Sequence, residues 1–287
     1  MTETSTAHGA TPDASADHLE RLPDGSRPTS FYVPLGGGKY RSTIHTQGAW
    51  NAHEQHMAPA TGLLAHELER FQPREDMRMA RVSLDILGII HGGDIEITTR
   101  MVRPGKTIEL IEAEMLCQGR TAIVARAWRL KTHDSTAVAG IEDPTVTHPE
   151  DLPAWDGMDM WPGGYIEQLE FRVEPGLRLG RGMVWMRNPN AMVDGVPSGD
   201  MVRLLGMVDT ANGVAPRVAP GPESWMFPNV DLQIHMHRRP TGEWLGISSQ
   251  QTYGTDGIGL TSAVLHDVEG PFGRSEQILT VRPMPVR

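Results

Sequence analysis

Hydrophobic positions recur along the 287-residue chain with two different periods, and the order in which those periods alternate predicts its elements. Residues 1–29 hold almost nothing that could be buried and are expected to form a disordered tail. Phe31 to Leu35 then reads as a short edge strand, with a glycine turn at 36–40 leading into 41–44. From 49 to 71 the spacing turns helical. Trp50, His53, Met57, Ala60, Leu64, Leu68 and Phe71 share one face, and Pro59 is expected to separate a short lead-in helix from the main one. Four extended segments follow at 80–86, 94–102, 108–117 and 122–130, divided by turn residues and rich in β-branched side chains. A long helix followed by an antiparallel meander is an α+β unit in which the sheet wraps the helix and buries its stripe. Periodicity lapses over 132–164, where Pro144, Pro149, Pro153 and Pro162 punctuate an acidic stretch expected to be a linker.

The same order of elements then returns. Strands are predicted at 165–173 and 182–187, a helix at 199–218, and further strands at 229–237, 243–253, 259–267 and 276–281. Gly213 falls on Gly62, Val230 on Val82, Ala263 on Ala113 and Gly273-Arg274 on Gly119-Arg120, a nearly constant shift that argues for duplication. The expected organisation is therefore a first domain over 30–131 and a second over 165–287.

Within the second helix Met201, Leu204, Leu205, Val208 and Ala211 form one apolar stripe, and Asp209 sits among them. A carboxylate there loses hydration unless donors meet it. It is either a structural hydrogen-bond hub or a working base.

Composition enters mainly by exclusion. Twenty-six basic against 36 acidic residues leave a formal charge of −10, which repels polyanions and removes nucleic acid as an expected partner. No apolar run approaches the roughly 20 residues of a membrane span, and the first residues lack the basic and apolar regions of a signal peptide. The single cysteine, Cys117, excludes an internal disulfide, so a cytoplasmic location is expected.

A helix wrapped by a meander, twice in one chain, resembles the double hotdog of the thioesterase-like superfamily, and among its enzymes acyl-CoA thioesterase II. The resemblance is carried in the first half by Arg103-Pro104-Gly105-Lys106-Thr107-Ile108-Glu109-Leu110-Ile111-Glu112-Ala113 and Gly119-Arg120. In the second it is carried by Val193-Asp194-Gly195, Asp209-Thr210-Ala211-Asn212-Gly213-Val214, Asn229-Val230-Asp231, His237-Arg238 and Glu276-Gln277. That family holds its attacking water with an aspartate, a Ser or Thr, and a glutamine. The resemblance implies Asp209 and Gln277 for the first and last, with Asn229 standing where Ser or Thr is usual. Asn still offers an acceptor and a donor to a water. The same shifts carry the trio onto Ala58, Arg81 and Ile123 in the first half, so one active centre per chain is expected.

Hydrolysis of an acyl-CoA or other acyl thioester would then use Asp209 as base, with Gln277 and Asn229 orienting water and with no metal or organic cofactor. Val230, Leu232, Ile234 and Met236 are expected to line a lipophilic groove, and His237-Arg238 to meet a phosphate of coenzyme A. Two other readings stay open: a non-catalytic acyl-binding protein with a decayed site, and an enoyl-CoA hydratase-like enzyme. The latter wants a histidine close to its aspartate, and Asp209 has none nearby in sequence. His53-Glu54-Gln55-His56 is not a His-Glu-x-x-His zinc motif, and its imidazoles are read as half-buried helix residues. There is no Gly-x-Ser-x-Gly elbow, and Cys117 lies in an apolar strand that favours an inert thiol. Pairing of hotdog sheets can be satisfied within one chain, which leaves a homo-oligomer optional.

Overall fold

The structure, a computed structural model, describes residues 17–221 and 224–284. The first half runs β1 (Ser30–Gly36), β2 (Lys39–Ser42), α1 (Met57–Arg70), β3 (Met77–Ile86), β4 (Asp94–Arg103), β5 (Ile108–Cys117) and β6 (Arg120–Lys131). The second runs β7 (Glu170–Val173), β8 (Arg181–Arg187), β9 (Ala191–Val193), α2 (Asp200–Leu205), α3 (Ala211–Val214), β10 (Trp225–Met226), β11 (Asp231–Met236), β12 (Trp244–Tyr253), β13 (Ile258–Asp267), β14 (Gly270–Thr280) and β15 (Arg282–Pro283). One sheet takes thirteen of these strands in the order β7-β8-β12-β13-β14-β11-β3-β6-β5-β4-β2-β1-β9.

Read outward from the centre, β3-β6-β5-β4-β2-β1 matches β11-β14-β13-β12-β8-β7, and β3 meets β11 antiparallel with Ser83 opposite Gln233, a pseudo-twofold arrangement of two like units. β9 of the second half departs from it by pairing in parallel with β1 at the far edge. Register fixes the repeat: Ala113 pairs with Ala125 as Ala263 pairs with Ser275, an offset of 150 residues on both strands (263 − 113 and 275 − 125). The matching of Gly273-Arg274 to Gly119-Arg120, offset by 154, is therefore corrected. The equivalent two-residue turns close Cys117 on Arg120 and Asp267 on Gly270.

Several boundaries differ from expectation for identifiable reasons. The first helix starts at Met57 rather than 49, because His56 is its N-cap and Pro59 occupies the first turn, where a missing N–H costs no helical bond. The second helix is broken. It ends at the Gly206 cap, passes through a 3-10 turn at Val208–Thr210, resumes as α3 and stops before Pro216, which cannot continue it. The predicted strand at 165–173 opens with a 3-10 turn, Ile166–Gln168, and β14 begins six residues before the predicted 276. Of the expected tail, residues 1–16 lie outside the described residues. Leu19 is tied to the body of the chain, its N–H donating to Ser42 O at 2.9 Å and its O accepting from Ile44 N–H at 3.0 Å, while 23–27 stay exposed.

One buried cluster runs through both halves, with α1 crossing α2 inside it. Gly62 permits that crossing, since a Cβ there would stand 2.9 Å from Gly206 Cα and 2.1 Å from Met192 Cε. Gly62→Ala is expected to destabilise by about 1–3 kcal/mol through overpacking, measured by urea unfolding. The connection between the halves crosses the face of β8 and β12 that is turned away from the helices. Val146 and Leu152 pack on Met183, Trp185 and Trp244, and Trp185 Nε1–H donates to Thr147 O at 2.9 Å. No helix among the described residues is long and apolar enough to cross a membrane.

Candidate active site

Asp209 lies in the 3-10 turn between α2 and α3, only 6% exposed. Its Oδ1 accepts from Asn229 Nδ2–H at 2.8 Å, and its Oδ2 stands 3.4 Å from His56 Nδ1. That imidazole comes from the first half. As N-cap of α1 its Nδ1 accepts the Ala58 N–H at 3.1 Å, which assigns the ring proton to Nε2. The ring packs on Tyr165 with centroids 4.3 Å apart, and Tyr165 Oη shares a hydrogen bond of 2.8 Å with Thr210 Oγ1.

Burial dominates the electrostatics. It drives the His56 imidazole down to about 3, so the ring is neutral, and the contact with Asp209 is not an ion pair. It pushes the Asp209 carboxyl up to about 7, against the opposing hydrogen bond from Asn229. A second acceptor, His56 Nδ1, faces this carboxyl, which adds to the reasons for it to keep a proton.

Asn229 precedes β11 rather than opening it, held by a single bridge to Leu279 and a second bond from Nδ2–H to Asp231 O at 3.1 Å. Strand alternation breaks at this point. Val230 is exposed while Leu232, Ile234 and Met236 are sealed in the core, so the expected groove lining is corrected: these residues do not line the cavity. Gln277, on β14 opposite Thr261, is fully buried and reaches Asp209 from behind. Its Nε2–H approaches the main-chain carbonyl of Asp209 at 3.5 Å, and its Oε1 has no partner among the described residues. The three predicted residues thus converge on one turn, but Gln277 meets its backbone and not its carboxylate.

His237 and Arg238 are elsewhere. Arg238 is bound bidentately by Asp267, both contacts 2.6 Å, and also donates to Gly270 O and Pro271 O. His237 is exposed, and neither residue lines the cavity.

A polar network missed in the sequence fixes α3 behind the site. Asn212 Oδ1 accepts from Gln251 Nε2–H at 2.9 Å and Thr261 Oγ1–H at 3.2 Å, while Asn212 Nδ2–H donates to Phe227 O at 3.0 Å. At the 150-residue offset Thr261, Ser275 and Gln277 correspond to Ile111, Ala125 and Ala127, all buried and apolar. This replaces the sequence-level assignment of Gln277 to Ile123.

Asp209, Asn229 and His56 open onto a cavity of about 600 Å³. Trp50, Trp161 and Phe227 wall it with mutually edge-to-face rings 5.4–5.8 Å apart, and Met57, Met158 and Met226 supply adaptable apolar surface. Trp161 is pinned by its Nε1–H to Gly213 O at 3.1 Å. Exposed Leu87 and Ile89 rim the opening. Cys117 is buried away from this site and its thiol is raised to about 12, an inert state. Among the described residues no three His, Cys, Asp or Glu side chains are placed to hold a metal ion.

The reading of His53 and His56 as half-buried helix residues is corrected: His53 lies in an exposed turn and His56 is the N-cap that precedes the helix, while Tyr165 was not singled out from sequence. The available signal for His56 was Pro59, which marks a helix start three residues earlier more economically than it marks a break.

A chain of two hotdog units with a buried carboxylate at their junction defines a class. The family models for the acyl-CoA thioesterase N-terminal domain and C-terminal domain match residues 46–130 and 149–281, about three quarters of the sequence together. The chain belongs to this thioesterase-like family of tandem hotdog proteins. Acyl-CoA thioesterase II TesB2 from Mycobacterium marinum superimposes with a TM-score of 0.61 at 15% identity, covering 88% of this chain and 96% of the other. A TesB protein from Mycobacterium avium subspecies paratuberculosis gives 0.60 at 14% with the same coverage, and a hot dog fold protein from Alicyclobacillus acidocaldarius gives 0.68 at 13%, covering 87% and 95%. These likenesses establish the fold. No curated protein matches the sequence.

Proposed function

We propose that the protein hydrolyses an acyl thioester, with acyl-CoA as the substrate class, at the Asp209 centre. The observation carrying this reading is a carboxylate held at about pKa 7 in an aromatic and methionine-lined cavity, opposite a neutral imidazole whose Nε2–H has no partner among the described residues. Asp209 takes a proton from water as the oxygen attacks the thioester carbonyl. Negative charge growing on that carbonyl oxygen is met by the His56 Nε2–H donor. When the C–S bond breaks, Asp209 returns the proton to the departing thiolate. Asn229 holds Oδ1 and leaves Oδ2 for the water. Gln277, with an unpaired buried Oε1, anchors the turn and offers that oxygen to a bound water.

A base with this pKa must lose its proton to work, so kcat/KM is expected to rise with pH through about 7 and level off above it. Stopped-assay release of free thiol across pH 5–9, over acetyl, hexanoyl, benzoyl and palmitoyl-CoA, measures this. A flat profile would remove Asp209 as the base. Absence of hydrolysis across the panel, with bound acyl ligand retained, would favour the non-catalytic acyl-binding reading.

The placement of His56 beside Asp209 also supports one further reading. The histidine absent from the local sequence is supplied by the other half, so hydration of an enoyl thioester is a reaction this pair could serve. Loss of the conjugated absorbance of crotonyl-CoA without release of thiol would select it over hydrolysis.

A further inference from the structure

The cavity runs from an exposed rim to a closed end. Leu87 and Ile89 at the rim are more than half exposed, whereas Trp161 and Phe227 are buried, and Tyr253 backs Phe227 with centroids 6.0 Å apart. Each ring of the wall is held through backbone. Trp161 donates its Nε1–H to Gly213 O and Phe227 O accepts from Asn212, and both partners belong to α3, which follows the Asp209 turn directly. Trp50 sits on a loop closed by Gly48 N–H donating to Glu54 O at 2.8 Å. The segment carrying Trp161 is clamped against the start of that loop. A Cβ on Gly163 would stand 2.6 Å from Gly48 O, one on Gly164 closer still to Ile44 O, and Tyr165 N–H donates to Gln47 O at 3.2 Å. The wall is therefore preorganised and fixed relative to the carboxylate.

Depth and shape then decide what fits. Asp209 and Gly213 are four residues apart (213 − 209), about 6–8 Å along a helical axis, so the wall begins one ring's reach beyond a thioester carbonyl at the carboxylate. A palmitoyl chain, about 15 Å or half the hydrocarbon thickness of a bilayer, overruns that depth. A cavity of about 150 Å³ holds a benzene ring, so about 600 Å³ takes an aryl group with its carbonyl, the attacking water and the start of a thiol arm. The three rings stand at 71°, 87° and 84° to one another. Rings set nearly at right angles present faces and edges to one space, and an entering aromatic ring gains edge-to-face or offset contacts there. A saturated group of equal size gains burial alone.

We infer that Trp50, Trp161 and Phe227 form an acyl subsite for an aromatic acyl group, so that the protein acts on arylacyl thioesters in preference to saturated ones of equal size and to long chains. This rests on the thioester reading of the Asp209 centre. Trp50 and Trp161 are its specificity-determining residues. Aromatic faces also attract a quaternary ammonium, and Glu54 lines the same cavity, which makes a cationic acyl group the competing occupant.

The test keeps coenzyme A as carrier and compares phenylacetyl, cyclohexylacetyl, palmitoyl and 4-trimethylammoniobutyryl thioesters, in the full chain and in Trp50→Leu and Trp161→Leu. The first two differ in aromaticity and hardly in size, and neither carbonyl is conjugated. In the parent, kcat/KM for phenylacetyl-CoA is expected to exceed that for cyclohexylacetyl-CoA about tenfold, the factor that one or two ring contacts contribute beyond burial, and to exceed that for palmitoyl-CoA by more. Each variant is expected to bring the first ratio to about threefold or below. Trp50 is 37% exposed, so Trp50→Leu carries this arm even if Trp161→Leu does not fold. Equal values for the aromatic and saturated pair in the parent overturn the assignment, as do ratios unmoved in the variants, or a preference for the palmitoyl or the trimethylammonium thioester. Calorimetric titration with the matching ketone analogues, in which a methylene separates carbonyl and sulfur, decides the matter apart from turnover. About tenfold tighter binding of the aromatic analogue supports the subsite even if no thioester is hydrolysed, and equal binding of the two ends it even if all are.

Discussion

Asp209→Asn is expected to lower turnover of acyl thioesters by roughly 10²–10⁴-fold while raising thermal stability at pH 8, two effects of opposite value from one atom. The activity loss follows from removing the proton acceptor. The stability gain follows from linkage. The folded carboxyl has its pKa near 7 and the unfolded one near 3.9, so between those values the native state holds a proton that the unfolded state has released. Fewer protons on the unfolded chain mean that stability falls as pH rises across this window: the contribution is intact below about pH 4 and lost by the time pH passes 7. Three units correspond to roughly 4 kcal/mol. Asparagine has no such term, keeps an Oδ1 for Asn229, and points a donor at His56 Nδ1 where the carboxylate presented a second acceptor. Differential scanning calorimetry at pH 5 and pH 8 measures it. The variant's advantage in Tm is expected to grow by several degrees between the two, and a pH-independent difference would show that the carboxyl is ionised throughout.

Asp267→Ala is expected to cost about 3–5 kcal/mol of stability with kcat/KM for acyl thioesters preserved in the fraction that remains folded. Asp267 is 1% exposed and accepts four hydrogen bonds: two from Arg238, one from Thr241 N–H at 2.9 Å and one from Glu269 N–H at 2.9 Å. Removing it strands a guanidinium and two amides around the β13–β14 turn. Urea unfolding followed by tryptophan fluorescence measures the loss, and steady-state kinetics below the transition measures the rest. A rise in KM without loss of stability would return Arg238 to the substrate-binding role that its place beside His237 suggested.

The architecture was legible because its determinants are periodic. Alternation in β4, β5, β12 and β13 and the apolar stripe of the helices repeat often enough to survive local exceptions, and their order alone implied two like units. The Asp209 position was legible for a related reason, since a carboxylate set in an apolar helical stripe conflicts with its surroundings. His56 was not, because its role depends on being the cap of a helix in one half and the neighbour of a turn in the other, 153 positions away (209 − 56). Arg238 was read as free for a ligand because its partner Asp267 lies 29 positions along the chain, at the far end of β13, and cannot be seen from adjacent charges. Trp50, Trp161 and Phe227 come from three separate loops, so no spacing announces the wall they build.

The near-symmetry of the sheet hides a division of roles. Where the second unit carries Thr261, Ser275 and Gln277 beneath its broken helix, the first carries Ile111, Ala125 and Ala127 beneath an unbroken one. Apolar side chains stand there in place of the polar ones, while His56, Trp50 and Met57 of the same unit help to wall the cavity of its twin. Fusion of the two is what allows this asymmetry, because a dimer of identical chains would have to place the same groups in both copies.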